Sequence, residues 1–181
     1  MRVVNDYLNG IKLIEGLVFH DERGAFIKTF SDCSFKNLGI TTSIKEFFYS
    51  ISKKNVIRGM HFQVPPHEHD KLVFVVKGKI IDVVLDLRVN SKTYGLFEVF
   101  RLHENDGKVI YIPKGFAHGF RALEDNTIVA YLTSKEHSPE FDSGIRWDSF
   151  GYDWELDNEE VIVSKKDSLL TPFNEFKSPF R

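Results

Sequence analysis

Apolar and polar positions fall in short runs along the chain, separated by turn residues. The clearest run is Lys71–Arg88, KLVFVVKGKIIDVVLDLR. Its first half is continuously apolar and Lys77-Gly78 reads as a tight turn. In the second half Ile81, Val83, Leu85 and Leu87 alternate with Asp82, Val84, Asp86 and Arg88. A period of two sends successive side chains to opposite faces, so this half predicts a strand with one buried face. Similar runs predict strands at Lys12–Val18, Ala25–Phe30, Ile44–Ser50, Leu96–Arg101, Lys108–Ile112 and Thr127–Thr133. Two stretches read as helices. Ser31–Leu38 has Ser31 and Asp32 as capping candidates and Gly39 as a stop, and Pro139–Asp142 is one turn long. Many short strands with few helices predict an all-β protein, an antiparallel sandwich or barrel.

No repeat, low-complexity tract or Pro/Gly/Ser linker divides the sequence, so residues 1–181 read as one domain. The 24 basic and 26 acidic residues nearly cancel, which argues against a charge-driven partner such as nucleic acid or a membrane surface. One phosphate-binding pocket needs only a few well-placed Arg and Lys and stays open. Cys33 is the single cysteine, which removes an internal disulfide framework and any Cys-based zinc or iron–sulfur site. No run approaches the roughly 18 apolar residues of a spanning helix. The opening MRVVNDYLNGIK lacks the apolar core of a secretory signal, so a cytoplasmic protein is expected.

Candidate chemistry centres on His61, His67, His69 and His118. The pair His67-x-His69 lies just before a strand, and His118 sits in Gly107-x5-Pro113-x-Gly115-x2-His118. This spacing resembles the two motifs of the cupin superfamily, which implies a jelly-roll barrel with its site in the barrel's mouth. Metal-binding cupins add a Glu four or five residues after the pair. Here those positions hold Val73 and Phe74. A three-His site for Zn, Fe or Cu is chemically possible, but the missing carboxylate favours a barrel without metal or other cofactor.

A second constellation is Arg58-Gly59-Met60-His61-Phe62-Gln63, then Pro65-Pro66-His67 and Lys71-Leu72-Val73. With it go Asp21-Glu22-Arg23-Gly24, Ile112-Pro113 through Gly119-Phe120, Gly144-Ile145-Arg146-Trp147 and Ser164-Lys165-Lys166-Asp167. In this order, from about Phe19 to about Pro172, the chain resembles the nucleotide-linked 4-keto-6-deoxysugar 3,5-epimerases, typified by dTDP-4-dehydrorhamnose 3,5-epimerase. The resemblance implies a cofactor-independent isomerase acting on a nucleotide-diphosphate sugar, in a homodimer that covers exposed strand edges.

The chemistry explains the residue types. A ketone at C4 acidifies the hydrogens on C3 and C5, so inversion needs a base, a stabilised enolate and an acid on the opposite face. Histidine suits the base because its ordinary pKa lies near working pH. By resemblance His61 is that base and Asp167 bonds its other ring nitrogen. The plainer alternative is a core histidine with a distant surface Asp. Tyr131 matches the family's acid and would serve if nearby cations lower its pKa; otherwise it is a strand tyrosine with a wet hydroxyl. Lys71 would face the developing C4 oxyanion, a large contribution where such charge forms, or else be a solvated lysine opening a strand. His118 and Arg58 would line the pocket, and Gln63 and His67 would join them, with a second-base role for His67 held open.

At the nucleotide end, Arg23 and Arg58 match diphosphate contacts, and Phe19 and Phe26 match positions near the base. Four positions depart from the thymidine-binding pattern. Lys28 replaces a Glu and His137 replaces a stacking Tyr, while Glu46 and Phe48 replace a Gln/Asn pair. Lysine is donor-only and cannot accept thymine N3–H; it suits an acceptor-rich base such as guanine, making a GDP-linked hexose or heptose an alternative. The plainer reading has Lys28 facing solvent. Two competing functions remain, a metal-dependent cupin oxygenase or isomerase and a non-catalytic sugar-nucleotide binding module.

Overall fold

The computed structural model describes residues 1–156 and 159–181. In chain order the elements are β1 (Arg2–Tyr7), β2 (Ile11–Glu15), β3 (Leu17–Asp21), β4 (Gly24–Lys28), α1 (Asp32–Asn37), β5 (Glu46–Ser52), β6 (Val56–Gln63), β7 (Lys71–Lys77), β8 (Lys79–Asp86), β9 (Phe97–His103), β10 (Lys108–Ile112), β11 (Phe116–Ala122), β12 (Thr127–Thr133), β13 (Asp142–Gly144), β14 (Ile162–Val163) and α2 (Lys165–Ser168). One six-stranded sheet runs β1-β2-β10-β7-β12-β5. The second runs β13-β6-β11-β8-β9, with β14 beside β6, and β3–β4 form a separate hairpin. All pairings are antiparallel except β14 with β6. The two larger sheets face each other as the jelly-roll barrel that the sequence predicts. Among the described residues no helix is long and apolar enough to cross a membrane.

Three apolar layers hold the sheets. Between them lie Ile11, Val73, Val75, Ile80, Val84, Phe100, Ile110, Phe116, Phe120 and Val129. Outside the second sheet Ile81, Val83, Leu85 and Leu87 meet Ile145, Phe150, Trp154 and Phe180 of the C-terminal segment. Outside the first sheet Ile14, Leu72 and Val109 pack against Phe35 of α1 and Ile40.

Three local expectations are corrected. The strand at Ile81–Arg88 buries both faces: Asp82, Val84 and Asp86 are buried on the barrel side, and the C-terminal segment covers Ile81, Val83, Leu85 and Leu87 on the other. The stretch Lys12–Val18 is two strands. It breaks at Gly16, whose N–H donates to Gly107 O at 2.8 Å and where a Cβ would lie 2.6 Å from Lys28 O. Pro139–Asp142 is no helix: Phe141 N closes a turn onto Ser138 O, and the chain enters β13 at once.

Candidate active site

β6 carries the histidine and β12 the tyrosine, on opposite sheets. On β6 alternation alone would put Arg58 and His61 on opposite faces. A bulge resets it: His118 pairs with His61 and Phe120 with Arg58, two residues against three, so both side chains face inward. Only glycine fits inside that bulge. Gly59 has φ +130°, and a Cβ there would lie 2.5 Å from Gly119 Cα.

His61, Arg58, Gln63 and His118 from the second sheet and Lys71, Tyr131 and Thr133 from the first line one cavity. Its free volume of about 280 Å³ is just below the usual range of roughly 300–1,000 Å³ for small-molecule pockets, room for a sugar ring but not for a nucleotide as well. Phe48 and Phe120 add apolar walls, and Glu46, Lys135, His137, Asp142 and Lys166 ring the mouth.

Asp167 is buried directly behind His61. Its Oδ1 lies 2.8 Å from His61 Nε2, and its Oδ2 accepts Gly59 N–H at 3.2 Å. Helix α2 places it: Ser164 Oγ caps the turn by accepting Asp167 N–H at 3.0 Å. Burial works to raise the Asp167 pKa, but the bonds from His61, Gly59 and Ser164 win and hold it below the usual carboxylate range. An ionised carboxylate accepts, so Nε2 carries the hydrogen and Nδ1 keeps the lone pair. The distant surface Asp of the plainer reading is excluded.

Sequence reasoning missed a second such pair. His118 Nε2 lies 2.7 Å from Asp82 Oδ2, both fully inside the barrel. Burial pushes the His118 pKa down, against the pull of Asp82. The alternation puts Asp82 on the polar face of its strand; the sequence signal for burial is the Ile80 and Val84 that flank it on that same face. Lys71 is no solvated lysine. Burial lowers its pKa to about 8, with Asp82 and Asp142 pulling the other way. Tyr131 corrects another expectation: burial pushes its phenol up, and the bond to Ser50 and the charge of Arg58 only partly oppose this. The phenol therefore rests protonated.

The remaining candidates divide. Arg58 lines the cavity, its guanidinium donating to Ser52 Oγ at 3.0 Å and Ile51 O at 3.2 Å. Gln63 also borders it, but its amide is taken up by His67 O, His69 Nδ1 and Ser138 N, making it a clasp between loops. His137 sits at the mouth, its N–H on Glu46 Oε2 at 3.0 Å. His67 leaves the cavity lining: the Pro65-Pro66 loop turns it outward to stack on Phe141 at 4.4 Å, and His69 lines the cavity instead. Burial and the Lys71 charge lower the His69 pKa to about 4. His67 thus turns away from His69 and His118, which both line the cavity, and no group of three or more His, Cys, Asp or Glu converges to hold a metal among the described residues.

Phe19, Arg23, Phe26 and Lys28 do not reach this chain's own cavity. They stand on the β3–β4 hairpin, with Phe19 and Phe26 59% and 60% exposed and their rings 6.3 Å apart. Arg23 pairs with Asp21 beside it. Leu17 pairs with Lys28 and Phe19 with Phe26, so Lys28 shares the face of the aromatic pair.

The family profile described as dTDP-4-dehydrorhamnose 3,5-epimerase matches residues 5–175. The chain belongs to this family. A dTDP-4-dehydrorhamnose 3,5-epimerase of Methanothermobacter thermautotrophicus is 41% identical over 177 residues, 96% of this chain and 95% of that one. The Escherichia coli protein of the same description is 36% identical, with 94% of each chain covered. Among solved structures, the Bacillus anthracis dTDP-4-dehydrorhamnose 3,5-epimerase with TDP and PPi bound superposes with a TM-score of 0.91 at 34% identity, covering 94% of this chain and 98% of that one. A Legionella pneumophila dTDP-6-deoxy-D-glucose-3,5-epimerase in complex with dTDP-4-keto-L-rhamnose gives 0.91 at 33%, covering 97% and 94%. As a member of the dTDP-4-dehydrorhamnose 3,5-epimerase family the chain is an isomerase, and the all-β barrel is the fold of these relatives.

Proposed function

We propose that the protein, acting as one domain over residues 1–181, inverts C3, C5 or both of a dTDP-linked 4-keto-6-deoxyhexose by proton transfer between His61, the substrate and Tyr131. One observation carries this reading: in a chain of this family, His61 backed by Asp167 and Tyr131 flank one cavity from opposite sheets. His61 Nδ1 takes the hydrogen next to the ketone, and the electron pair of the broken C–H bond moves into an enolate whose charge gathers on the C4 oxygen. Lys71 supplies the positive charge and the donor that this oxygen needs, while His118, its Nε2 held by Asp82, lines the cavity beside it. Tyr131 then gives its phenolic proton to the same carbon from the other side, and the Arg58 guanidinium steadies the phenolate left behind. Asp167 positions His61 and steadies its cationic form.

With the sugar filling the cavity, the nucleotide lies beyond its mouth. The exposed aromatic pair of the hairpin suits a base there, and Arg23 and Arg58 suit the diphosphate. Because the hairpin is remote from its own cavity, this role calls for a homodimer in which it serves the neighbouring copy. A second reading rests on Lys28 beside that pair: a donor-only side chain favours a guanine edge over thymine.

Proton NMR in deuterium oxide with dTDP- and GDP-linked 4-keto sugars tests both. Solvent deuterium is expected at C3 or C5, with His61→Ala reducing the rate by about 10²-fold or more. A wild-type protein that exchanges no hydrogen on any substrate of the panel overturns the proposal, and the faster nucleotide decides the base.

A further inference from the structure

Tyr131 is gripped from one side by strand β5. Phe48, its direct cross-strand partner, lies flat against the phenol ring, centroids 4.8 Å apart and planes 16° from parallel. Ser50, two residues on along the same strand, places its Oγ 3.2 Å from the Tyr131 hydroxyl. His118 meets the ring at a steep angle, with centroids 6.2 Å apart and planes 68° from parallel. A tyrosine has two side-chain torsions. The ring-on-ring contact fixes the plane, and the contact with Ser50, in which either oxygen can donate, fixes where the hydroxyl oxygen sits.

Among the described residues β5 is an edge strand, bonded to β12 alone. Phe48 is 42% exposed, although it forms a wall of the cavity. Burying an aromatic ring is favourable, and a phenylalanine left this open gains little from the core. Its contact with Tyr131 is its main packing contribution. We propose that Phe48 and Ser50 are positioning residues that hold the Tyr131 hydroxyl over the reacting carbon, so that proton return occurs on the face opposite His61. The inference rests on the proposed epimerase reading. Proton transfer to carbon requires a short, aligned approach, and a displacement of about 1 Å costs up to about 10²-fold in rate. A phenol that burial keeps protonated is also a reluctant donor, which leaves little tolerance for misplacement.

The test separates proton removal from proton return. In deuterium oxide, His61 alone can take a hydrogen, exchange it and return deuterium to the same face, giving exchange without inversion. Inversion additionally needs Tyr131. With a dTDP-linked 4-keto-6-deoxyhexose, Phe48→Ala is expected to lower the inversion kcat by about tenfold or more, with KM within about threefold and exchange within about twofold. Ser50→Ala should show the same split more weakly, and Phe48→Tyr, which keeps the stacked ring, should restore inversion to within about twofold of wild type. Unchanged inversion in both Phe48→Ala and Ser50→Ala overturns the proposal. So does a proportional fall of inversion and exchange, which marks a merely structural role. If Phe48→Ala does not fold, Ser50→Ala and Phe48→Tyr decide by the same ratio. A wild-type protein inert to every substrate instead removes the epimerase reading on which the inference stands.

Discussion

In the proposed reaction Lys71 trades stability for chemistry. Its folded pKa of about 8 lies below the roughly 10.4 of an unfolded lysine. The unfolded chain therefore binds this proton more tightly. Holding the ammonium in the barrel costs stability at every pH below about 8, and the cost fades as pH rises from about 8 to about 10.4. Lys71→Met should then raise stability at pH 7 by on the order of 1 kcal/mol, discounted for partial solvation, while lowering kcat by about 10²-fold. Urea denaturation at pH 7 and pH 10 checks the first part, since the gain should shrink at the higher pH. The wild-type rate should also fall on the alkaline side of about 8 as the ammonium is lost. A stable, fully active Lys71→Met protein would show that the enolate oxygen is stabilised elsewhere.

The short elements matter through the single residues that they aim. Helix α2 is four residues long, too short to be stable alone, and its cap is what fixes Asp167 behind His61. Removing the cap with Ser164→Ala should cost about 1 kcal/mol and lower kcat several-fold with KM little changed, because Asp167 touches His61 and not the substrate. Steady-state kinetics beside a thermal melt checks it; a stability loss with an unchanged rate would mean that β6 alone orients His61. The legibility of the sequence divides along similar lines. Strands β10 and β12 are predicted to the residue, since their apolar runs end at clear polar or turn positions. β6 and β11 carry His61 and His118 but are missing from the periodicity, because Gly59, the bulge and Gly119 interrupt the alternation. Motif resemblance finds them where pattern does not. Asp82 escapes both routes. A period of two cannot say that the face of Asp82 and Val84 turns into the barrel, while the apolar face of Ile81, Val83 and Leu85 is covered from outside by a segment some sixty residues later, Ile145 to Phe180.

At the scale of the molecule, the face around β5 looks unfinished. Phe47, Tyr49 and Ile51 project outward at 60%, 60% and 56% exposure, beside Val76 at 53%, and the hairpin holds Phe19 and Phe26 in solvent. An apolar edge strand of this kind is a hazard unless something covers it. The cavity, meanwhile, holds the proposed acid–base pair, His61 and Tyr131, but none of the hairpin residues proposed for the nucleotide. The proposed two-fold dimer would answer both at once: a second copy would cover the apolar face and bring its hairpin to the first copy's cavity. The arrangement is tested by mixing two defects. His61→Ala removes the base and leaves the hairpin intact, whereas Phe26→Ala keeps the base and weakens the hairpin. Each should be inactive or nearly so as a pure protein. Co-expressed in equal amounts, half of the dimers pair one of each, and each mixed dimer regains one complete site. Activity should therefore return to about a quarter of wild type. If the hairpin served its own chain, every site in the mixture would still carry one defect and no activity would return. Light scattering that finds a monomer at working concentration, together with full turnover, would remove the dimer from the account. The nucleotide would then have to be held by the mouth residues of a single chain.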